Sequence, residues 1–326
     1  MPRKIEVSHK TIIFTVLFLL SLWFLYHVRD IILEIFVALL IMTILNPLVT
    51  GLSKLRIPRG ISVLVTYLVV FFILGVALAG VLPTLVEQTS SFVNNLPSYL
   101  FSLGLDRFIN DQIAAQFLGQ LSTIPTQVVK FSFSLFSNIL GVVSVLMFAF
   151  YLLLIRDKLD DQLSFFFGAD KSKEIGKVID LLEVRLGGWA RGELALMVLV
   201  GSLNYLGLFL LGIPFALPLA ILAGLLEIVP YIGPVIAAIP SVIIGLSISP
   251  VMGLAAAALA FLVQQLENYV FVPKVMEKSV GVSPIIVLLA LAIGLKLAGI
   301  VGVMISVPLV IMLQVLAKEY LFVEKS

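Results

Sequence analysis

Four ionisable residues lie within or at the edge of long apolar runs, and they are the best candidates for chemistry in this sequence. Glu227, Glu267 and Lys296 belong to the second half of the chain, and Glu34 belongs to the first. A charge at the centre of a membrane helix costs about 2.5–3.5 kcal/mol on insertion scales, so such residues usually face a cavity or each other. Buried carboxylates can carry a proton or bind a desolvated cation, and the lysine would be their counter-charge.

Each of these assignments has a structural alternative. Glu227 lies three residues before Pro230, where freed backbone carbonyls and a carboxylate together would suit a cation or a proton relay. A permanent ion pair of Lys296 with Glu227 or Glu267 would serve structure alone. Glu267 lies near one end of its apolar run and could act as a gate or second relay, or simply reach interfacial water. Glu34 could reach the interface in the same way.

Polar residues close to these groups in the sequence could complete a site. We single out Asn204, Gln264, Gln265, Asn268 and Arg191. Hydrogen bonds between membrane helices explain the neutral residues equally well. Arg191 and Glu193 occur where an amphipathic segment enters an apolar one, and an interfacial anchor is the simpler interpretation of both.

Proline and glycine interrupt two apolar segments, at about 215–249 and 284–316. A proline inside a helix removes a backbone donor, and in hydrocarbon the freed groups must face protein or a water-filled cavity. Paired interruptions are a sequence indication of a transport site near the bilayer midplane, although membrane helices also tolerate proline and glycine for other reasons. The interrupting residues are Pro230, Tyr231, Gly233 and Pro234 in the first segment, and Pro284, Gly294, Gly299, Gly302 and Pro308 in the second.

The composition predicts an all-α integral membrane protein. Apolar residues make up 61% of the chain and charged residues 12%, and the mean hydropathy is +1.18, whereas soluble domains carry about 25% charged residues. The length allows about seven or eight spans, including two interrupted, re-entrant-like hairpins. The lipid bilayer is therefore the first partner. A net charge of +2 gives no reason to expect nucleic acid.

The sequence provides no recognisable enzyme site. It contains no cysteine and only two histidines, so a zinc site of ordinary type cannot be assembled. Phosphate-loop and nucleophile-elbow motifs are missing as well. We therefore expect no enzyme, no resident metal and no cofactor, and the only ions to consider are a transported or coupling H⁺ or Na⁺.

The apolar runs and basic residues together predict a domain order and an orientation. Residues 1–155 would form a membrane half with about four spans and an extracytoplasmic segment at about 83–130. Residues 156–193 would form a cytoplasmic amphipathic linker, and residues 194–326 a transport half. Basic residues before the first span and after the second predict cytoplasmic termini in a prokaryotic plasma or inner membrane. The predicted spans are 11–26, 31–47, 61–82, 131–155, 194–213, 215–246, 251–272 and 285–316.

The second half resembles the autoinducer-2 exporter (AI-2E) family of membrane transporters. The element EIVPYIGP at Glu227–Pro234 is its most specific motif, and the later order of Gln, Glu, Pro and Gly residues from Gln264 to Pro308 also agrees. The sequence departs from the family pattern at Glu193, where glutamine is expected after Arg-Gly. The resemblance implies a multi-pass exporter that forms a homo-oligomer, a pentamer being one candidate.

These observations predict a secondary transporter that exports a small solute, such as an autoinducer-2-like signal molecule, with ion or proton coupling by alternating access. Glu227 would be the principal carboxylate and Lys296 its counter-charge. One alternative is a sodium(lithium)/proton antiporter, because some members of the family are assigned that activity. Others are an oligomeric channel and a membrane scaffold without coupled transport.

Overall fold

The structure is a computed structural model that describes residues 9–103, 139–276 and 283–320, and the regular elements in these ranges are all helical. Six of its helical stretches are long and apolar enough to cross a membrane, and three shorter apolar helices accompany them. The predicted all-α, multi-pass class is thereby confirmed. The helices are α1 (His9–Lys54), α2 (Arg59–Ser102), α3 (Ile139–Ile155), α4 (Leu159–Phe167), α5 (Ala169–Leu210), α6 (Ala216–Leu226), α7 (Ile232–Ile248), α8 (Pro250–Leu266), α9 (Val272–Val275) and α10 (Pro284–Tyr320).

Helix α1 differs from the predicted pair of spans at 11–26 and 31–47. It runs through both as one helix of 46 residues, about 69 Å long at 1.5 Å per residue. The connecting residues YHVRD contain neither proline nor glycine, so nothing in the backbone forces a turn there. The predicted orientation required a turn between the two spans, so that the basic residues before the first span and after the second would lie on one side of the membrane. That turn is missing, so this argument no longer supports the predicted orientation.

Helix α2 extends well beyond its predicted end near residue 82. Its last turns include Phe92 and Tyr99, whose rings contact Phe215 at centroid distances of 5.7 and 6.5 Å. Phe215 has a positive φ of 62° and precedes α6. The predicted extracytoplasmic segment thus begins as helix and packs on the α5–α6 turn, while its residues 104–130 lie outside the described part of the chain.

A polar network joins α1, α2, α3 and α5 at one end of the bundle, which we call the basic end and define by Arg59 and Arg156. Arg59 forms an ion pair with Asp157 at 2.7 Å and donates to the Asn46 side chain at 2.7 Å. Arg156 forms an ion pair with Glu183 at 2.5 Å, and the Asn46 amide also donates to Glu183. These contacts fix the first half of the chain against the start of α5.

The predicted linker at 156–193 continues directly into the membrane segment. Helix α5 runs without a break from Ala169 to Leu210, across the boundary predicted at residue 194. Its apolar stripe, which includes the buried Leu186 and Trp189, packs into a core with α10 residues such as Val307. The amphipathic pattern thus arises because one face of α5 packs on the bundle.

The first interrupted segment forms two separate helices, as its proline content predicts. Helix α6 has 11 residues, about 16 Å of helix, which is too short to cross a hydrocarbon core of about 30 Å. The chain then turns, Tyr231 adopts a φ of 68°, and α7 follows. A side chain on Gly233 would overlap the Leu226 carbonyl, so the turn requires glycine at that position.

The second interrupted segment folds back on itself within α10. Ala298 and Gly299 depart from helical geometry, with a φ of 59° at Gly299. The Ser306 hydroxyl donates to the Ala290 carbonyl at 2.9 Å, a contact that a straight helix cannot make between residues sixteen apart. Gly294 and Gly302 bring the two arms into direct backbone contact. The small size of these glycines thus allows the close approach of the two arms.

Gly302→Ala should destabilise this hairpin, because its methyl group would overlap the Gly294 carbonyl. Overpacking typically costs about 1–3 kcal/mol. Gly80→Ala is the matched control, since nothing lies within 4 Å of a Cβ built there. Thermal unfolding in detergent should show a lower midpoint for Gly302→Ala alone. Equal midpoints for both variants would contradict the tight contact.

Candidate functional site

Glu227 lies at the break between α6 and α7. It directly follows the last residue of α6, and its exposed fraction is 4%. Pro230 and Pro234 flank the turn, and Gly233 N–H bonds back to the Val229 carbonyl at 2.8 Å. The Leu225 and Leu226 carbonyls at the end of α6 accept from the Ile228 and Val229 N–H groups within this turn.

Glu267 begins a single π-helical turn, Glu267–Phe271, between α8 and α9. The cause is local, because Pro273 has no N–H and its ring would collide with the Tyr269 carbonyl in a regular helix. Val272 N–H bonds instead to the Glu267 carbonyl five residues earlier. The wider turn directs the Glu267 side chain inward, where its exposed fraction is 7%. Such π-bulges occur often at functional sites.

The Glu227 and Glu267 carboxyl groups lie within hydrogen-bonding distance of each other. Gln264 also donates to Glu267 Oε2 at 3.0 Å. Glu227 Oε2 is buried and has no hydrogen-bond partner among the described residues. Two ionised carboxylates are both acceptors, so a hydrogen bond between them requires that one carries a proton. Such a contact between the two carboxyl groups therefore requires one shared proton.

Glu193 is a third buried carboxyl group, although its place in the sequence predicted an interfacial anchor. The side chain is 7% exposed, and it interacts electrostatically with both Glu267 and Glu227. A sequence signal was available, because Glu193, Val200 and Asn204 recur at intervals of seven and four residues and so share one face of α5. An anchor at the interface would instead be expected on the exposed face.

The predicted counter-charge, Lys296, does not lie with the two glutamates. It is exposed near the tip of the α10 hairpin, and it forms no salt bridge within the described ranges 9–103, 139–276 and 283–320. Arg191 is also directed elsewhere, since its guanidinium donates to the Thr43 carbonyl on α1 at 2.7 Å. Among the described residues, no lysine or arginine makes an ion pair with the three carboxyl groups.

A small cavity adjoins Glu267 and extends between α5, α7 and α8. Its volume is about 20 Å³, and its polar lining consists of Glu267, Gln264 and Asn204. That volume suffices for about one water molecule, so a dehydrated monovalent cation would also fit. Small residues such as Ala223 and Ala237 form much of the remaining wall.

Of the other predicted residues, Pro234 lines the cavity, whereas Glu227 does not. Asn268 and Tyr231 are exposed, and Gln265 is half-buried. No group of three or more His, Cys, Asp or Glu residues arranged to hold a metal ion occurs in the described part of the chain. The candidate site therefore consists of Glu227, Glu267, Gln264 and Asn204, with Glu193 beside it.

A bundle of apolar helices with two broken segments and buried carboxyl groups is typical of membrane transport proteins. The family model described as AI-2E family transporter matches residues 12–322, and the chain belongs to this family. The resemblance inferred from the EIVPYIGP motif is thereby confirmed, and bacterial relatives indicate a membrane transport protein.

Three relatives illustrate how far the similarity extends. YueF of Bacillus subtilis, provisionally named a transport protein, is 29% identical over 81% of this chain and 77% of its own length. YhhT of Escherichia coli, named in the same way, is 30% identical over 86% of this chain and 82% of its own length. A protein of Halobacillus andaensis named sodium-lithium/proton antiporter is 22% identical over 88% of this chain and 89% of its own length.

Replacing Glu227 by methionine should raise the stability of the protein, although Glu227 is buried. The Oε2 atom of Glu227 is buried without a partner, which costs about 1–3 kcal/mol, and methionine has a similar volume without that cost. We expect a higher midpoint of thermal unfolding in detergent. Glu34→Met on α1, where the side chain is half-buried, is the control and should change little. A lower midpoint for Glu227→Met would identify Glu227 as a structural anchor.

Proposed function

We propose that this protein exchanges a monovalent cation, sodium or lithium, for protons across the membrane. The observation that carries the proposal is the buried Glu227–Glu267 pair, which has no described basic partner. A proton holds the pair in one state, and a cation bound beside it replaces that proton in the other. One positive charge leaves as another enters, so the buried site never carries an extra uncompensated charge.

The backbone around the pair favours a cation over an anion. A helix C-terminus carries a partial negative charge, and α6 ends next to Glu227. In transporters with broken helices, such C-terminal ends and unwound carbonyls commonly coordinate Na⁺ or H⁺. Ala223 in the last turn of α6 lines the small cavity, together with the side chains of Gln264 and Asn204. The side-chain oxygens of Glu267, Gln264 and Asn204 in this lining are of the type that a desolvated hard cation prefers.

The size of the small cavity beside Glu267 also favours a small cation. At about 20 Å³, it has no room for a sugar-like signal molecule, whereas drug-sized ligands occupy pockets of about 300–1,000 Å³. The name of the Halobacillus relative, a sodium-lithium/proton antiporter, describes the same exchange in a protein similar to this chain.

Alternating access would arise from the two interrupted segments. The α6–α7 break carries Glu227, and the α10 hairpin packs against α5 through the core that includes Trp189 and Val307. We propose that the basic end faces the cytoplasm of a prokaryotic cell, since Arg59 and Arg156 gather there. A homo-oligomer remains our proposal for the assembled state.

The direct test uses purified protein in sealed liposomes that contain a pH-sensitive dye. Sodium or lithium added outside should drive proton efflux and raise the internal pH in the wild type, and potassium serves as a comparison. Glu227→Gln should reduce the initial rate by on the order of tenfold or more, which corresponds to about 1.4 kcal/mol. The amide keeps the size of the side chain but cannot exchange a proton.

Glu34→Gln is the matched control, because Glu34 lies on α1 and outside the site. Its rate should equal that of the wild type. A Glu227→Gln protein that transports at the full rate would remove this residue from the mechanism. A wild-type protein without any cation-driven proton movement would contradict antiport itself.

A second candidate function is export of a small organic solute, and a larger cavity favours it. This cavity has a volume of about 550 Å³ and lies between α2, α5 and α6, with Ser202 and Tyr205 as its polar side chains. The mainly apolar lining suits an amphipathic solute better than a sugar-like one. Proton movement driven by an autoinducer-2 precursor but not by sodium, and lost in Ser202→Leu, would favour this function.

A further inference from the structure

The large cavity between α2, α5 and α6 shares a wall with the small cavity beside Glu267. Its volume is about 550 Å³, which lies within the range of about 300–1,000 Å³ for pockets that hold organic ligands. On α5, Asn204 lines the small cavity and the next residue, Tyr205, lines the large one. On α6, Ala223 and Gly224 are divided in the same way. The same turns of α5 and α6 therefore face both cavities.

Close packing of the two helices makes this shared wall thin. A Cβ built on Gly224 of α6 would lie 2.7 Å from the Met197 carbonyl oxygen of α5. A Cβ built on Gly201 of α5 would lie 3.3 Å from the Ala220 carbonyl oxygen of α6. The two backbones are thus in direct contact, and α6 ends next to Glu227. A molecule in the large cavity therefore touches both helices that line the small one.

The side chains that line the large cavity are apolar except for two hydroxyl groups. Ser202 and Tyr205 are three residues apart on α5 and so share one face of that helix. Neither hydroxyl has a hydrogen-bond partner within the described residues, whereas Asn204 on the same helix donates to the Val200 carbonyl at 2.9 Å. Among the described residues of this lining, none carries a charge. This chemistry suits an uncharged ligand with an apolar chain and a hydroxyl-bearing head.

The bilayer is a direct source of such a ligand. Leu194 and Val198 of α5 and Leu225 of α6 belong to the lining and are exposed on the outside of the bundle. Helix α5 is long and apolar enough to cross the membrane, so its exposed apolar face contacts lipid chains. The cavity is therefore reached from the lipid, without passage through the small cavity.

We propose that the large cavity is a regulatory site for an uncharged single-chain lipid of the monoacylglycerol type, which enters from the bilayer and slows transport. The chain lies between Val81 of α2 and Ile221 of α6, and the hydroxyl groups of the head bond to Ser202 and Tyr205. Alternating access requires α6 to move, and a chain wedged between α2 and α6 favours the state in which it fits. Lipid binding is independent of the proposed antiport, and only the slowing of exchange rests on it.

The binding test uses the full-length protein in liposomes with a monolaurin analogue that carries a photoreactive diazirine on its chain. After illumination, peptide mass spectrometry should locate the label on cavity-lining residues of α5 and α6. Excess monolaurin should remove this labelling. Glycerol, which has no chain, and lauroyl lysophosphatidylglycerol, which has the same chain but a negative charge, should leave it in place. Labelling only at other positions, or labelling that monolaurin does not displace, would overturn the site.

Two variants test the position and chemistry of the site. Val81→Trp should abolish the labelling, because the indole ring occupies the α2 side of the cavity. Phe72→Trp is the matched control, since Phe72 is exposed on the same helix and does not line the cavity. Tyr205→Phe keeps the ring but removes one hydroxyl group, and it should weaken competition by monolaurin about threefold. Labelling of Val81→Trp and Tyr205→Phe that equals the wild type would contradict this placement of the lipid.

Sodium-driven proton movement measures the regulatory effect. Monolaurin should slow the initial rate of the wild type and of Phe72→Trp about fivefold or more, the lower end of usual allosteric coupling. The rate of Val81→Trp should not respond to monolaurin. Protein-free liposomes correct for any proton leak that the lipid itself causes.

Three transport outcomes would overturn the regulatory role. An unchanged rate in labelled wild-type protein would leave a lipid site without regulation. Proton movement driven by monolaurin itself would identify the lipid as a substrate. A wild-type protein without sodium-driven proton movement would contradict the antiport and the regulation with it, whereas the labelling would still decide whether the lipid site exists.

Discussion

The burial of carboxyl groups without a described basic partner is the constraint on which the rest of this structure depends. Glu227, Glu267 and Glu193 come from three different parts of the bundle and interact electrostatically. An ion pair would have made them a structural feature, as in the network at Arg59 and Arg156. Because no such pair is present in the described part of the chain, a proton or a cation must supply the compensating charge. Both are species that a transporter can exchange.

The backbone interruptions provide this arrangement. Pro230 and Gly233 end α6 beside Glu227, and Pro273 produces the π-turn that directs Glu267 inward. Each interruption would be costly in a lipid-facing helix, since unpaired backbone groups have no partner in hydrocarbon. Within the bundle they face protein. The same residues that weaken regular helix thus place Glu227 and Glu267 at buried positions.

Sequence reasoning recovered the helical class, both interrupted segments and two of the carboxyl groups, because proline, glycine and buried charge are strong local signals. It did not recover what depends on packing. Lys296 lies in an apolar run, but the fold of the α10 hairpin leaves it exposed. The continuity of α1 could not be inferred, since the charged pair Arg29–Asp30 resembles a loop. Glu193 was assigned to the interface although its spacing from Val200 and Asn204 along α5 indicates the buried face of that helix.

The measurement that tests the central claim most directly is proton release on cation binding to the purified protein in detergent, without a membrane. Sodium chloride is added to a weakly buffered solution, and choline chloride corrects for ionic strength. The account predicts that sodium or lithium releases protons from the wild type and not from a variant in which both Glu227 and Glu267 are replaced by glutamine. Sodium binding without proton release, or equal release from that variant, would contradict it.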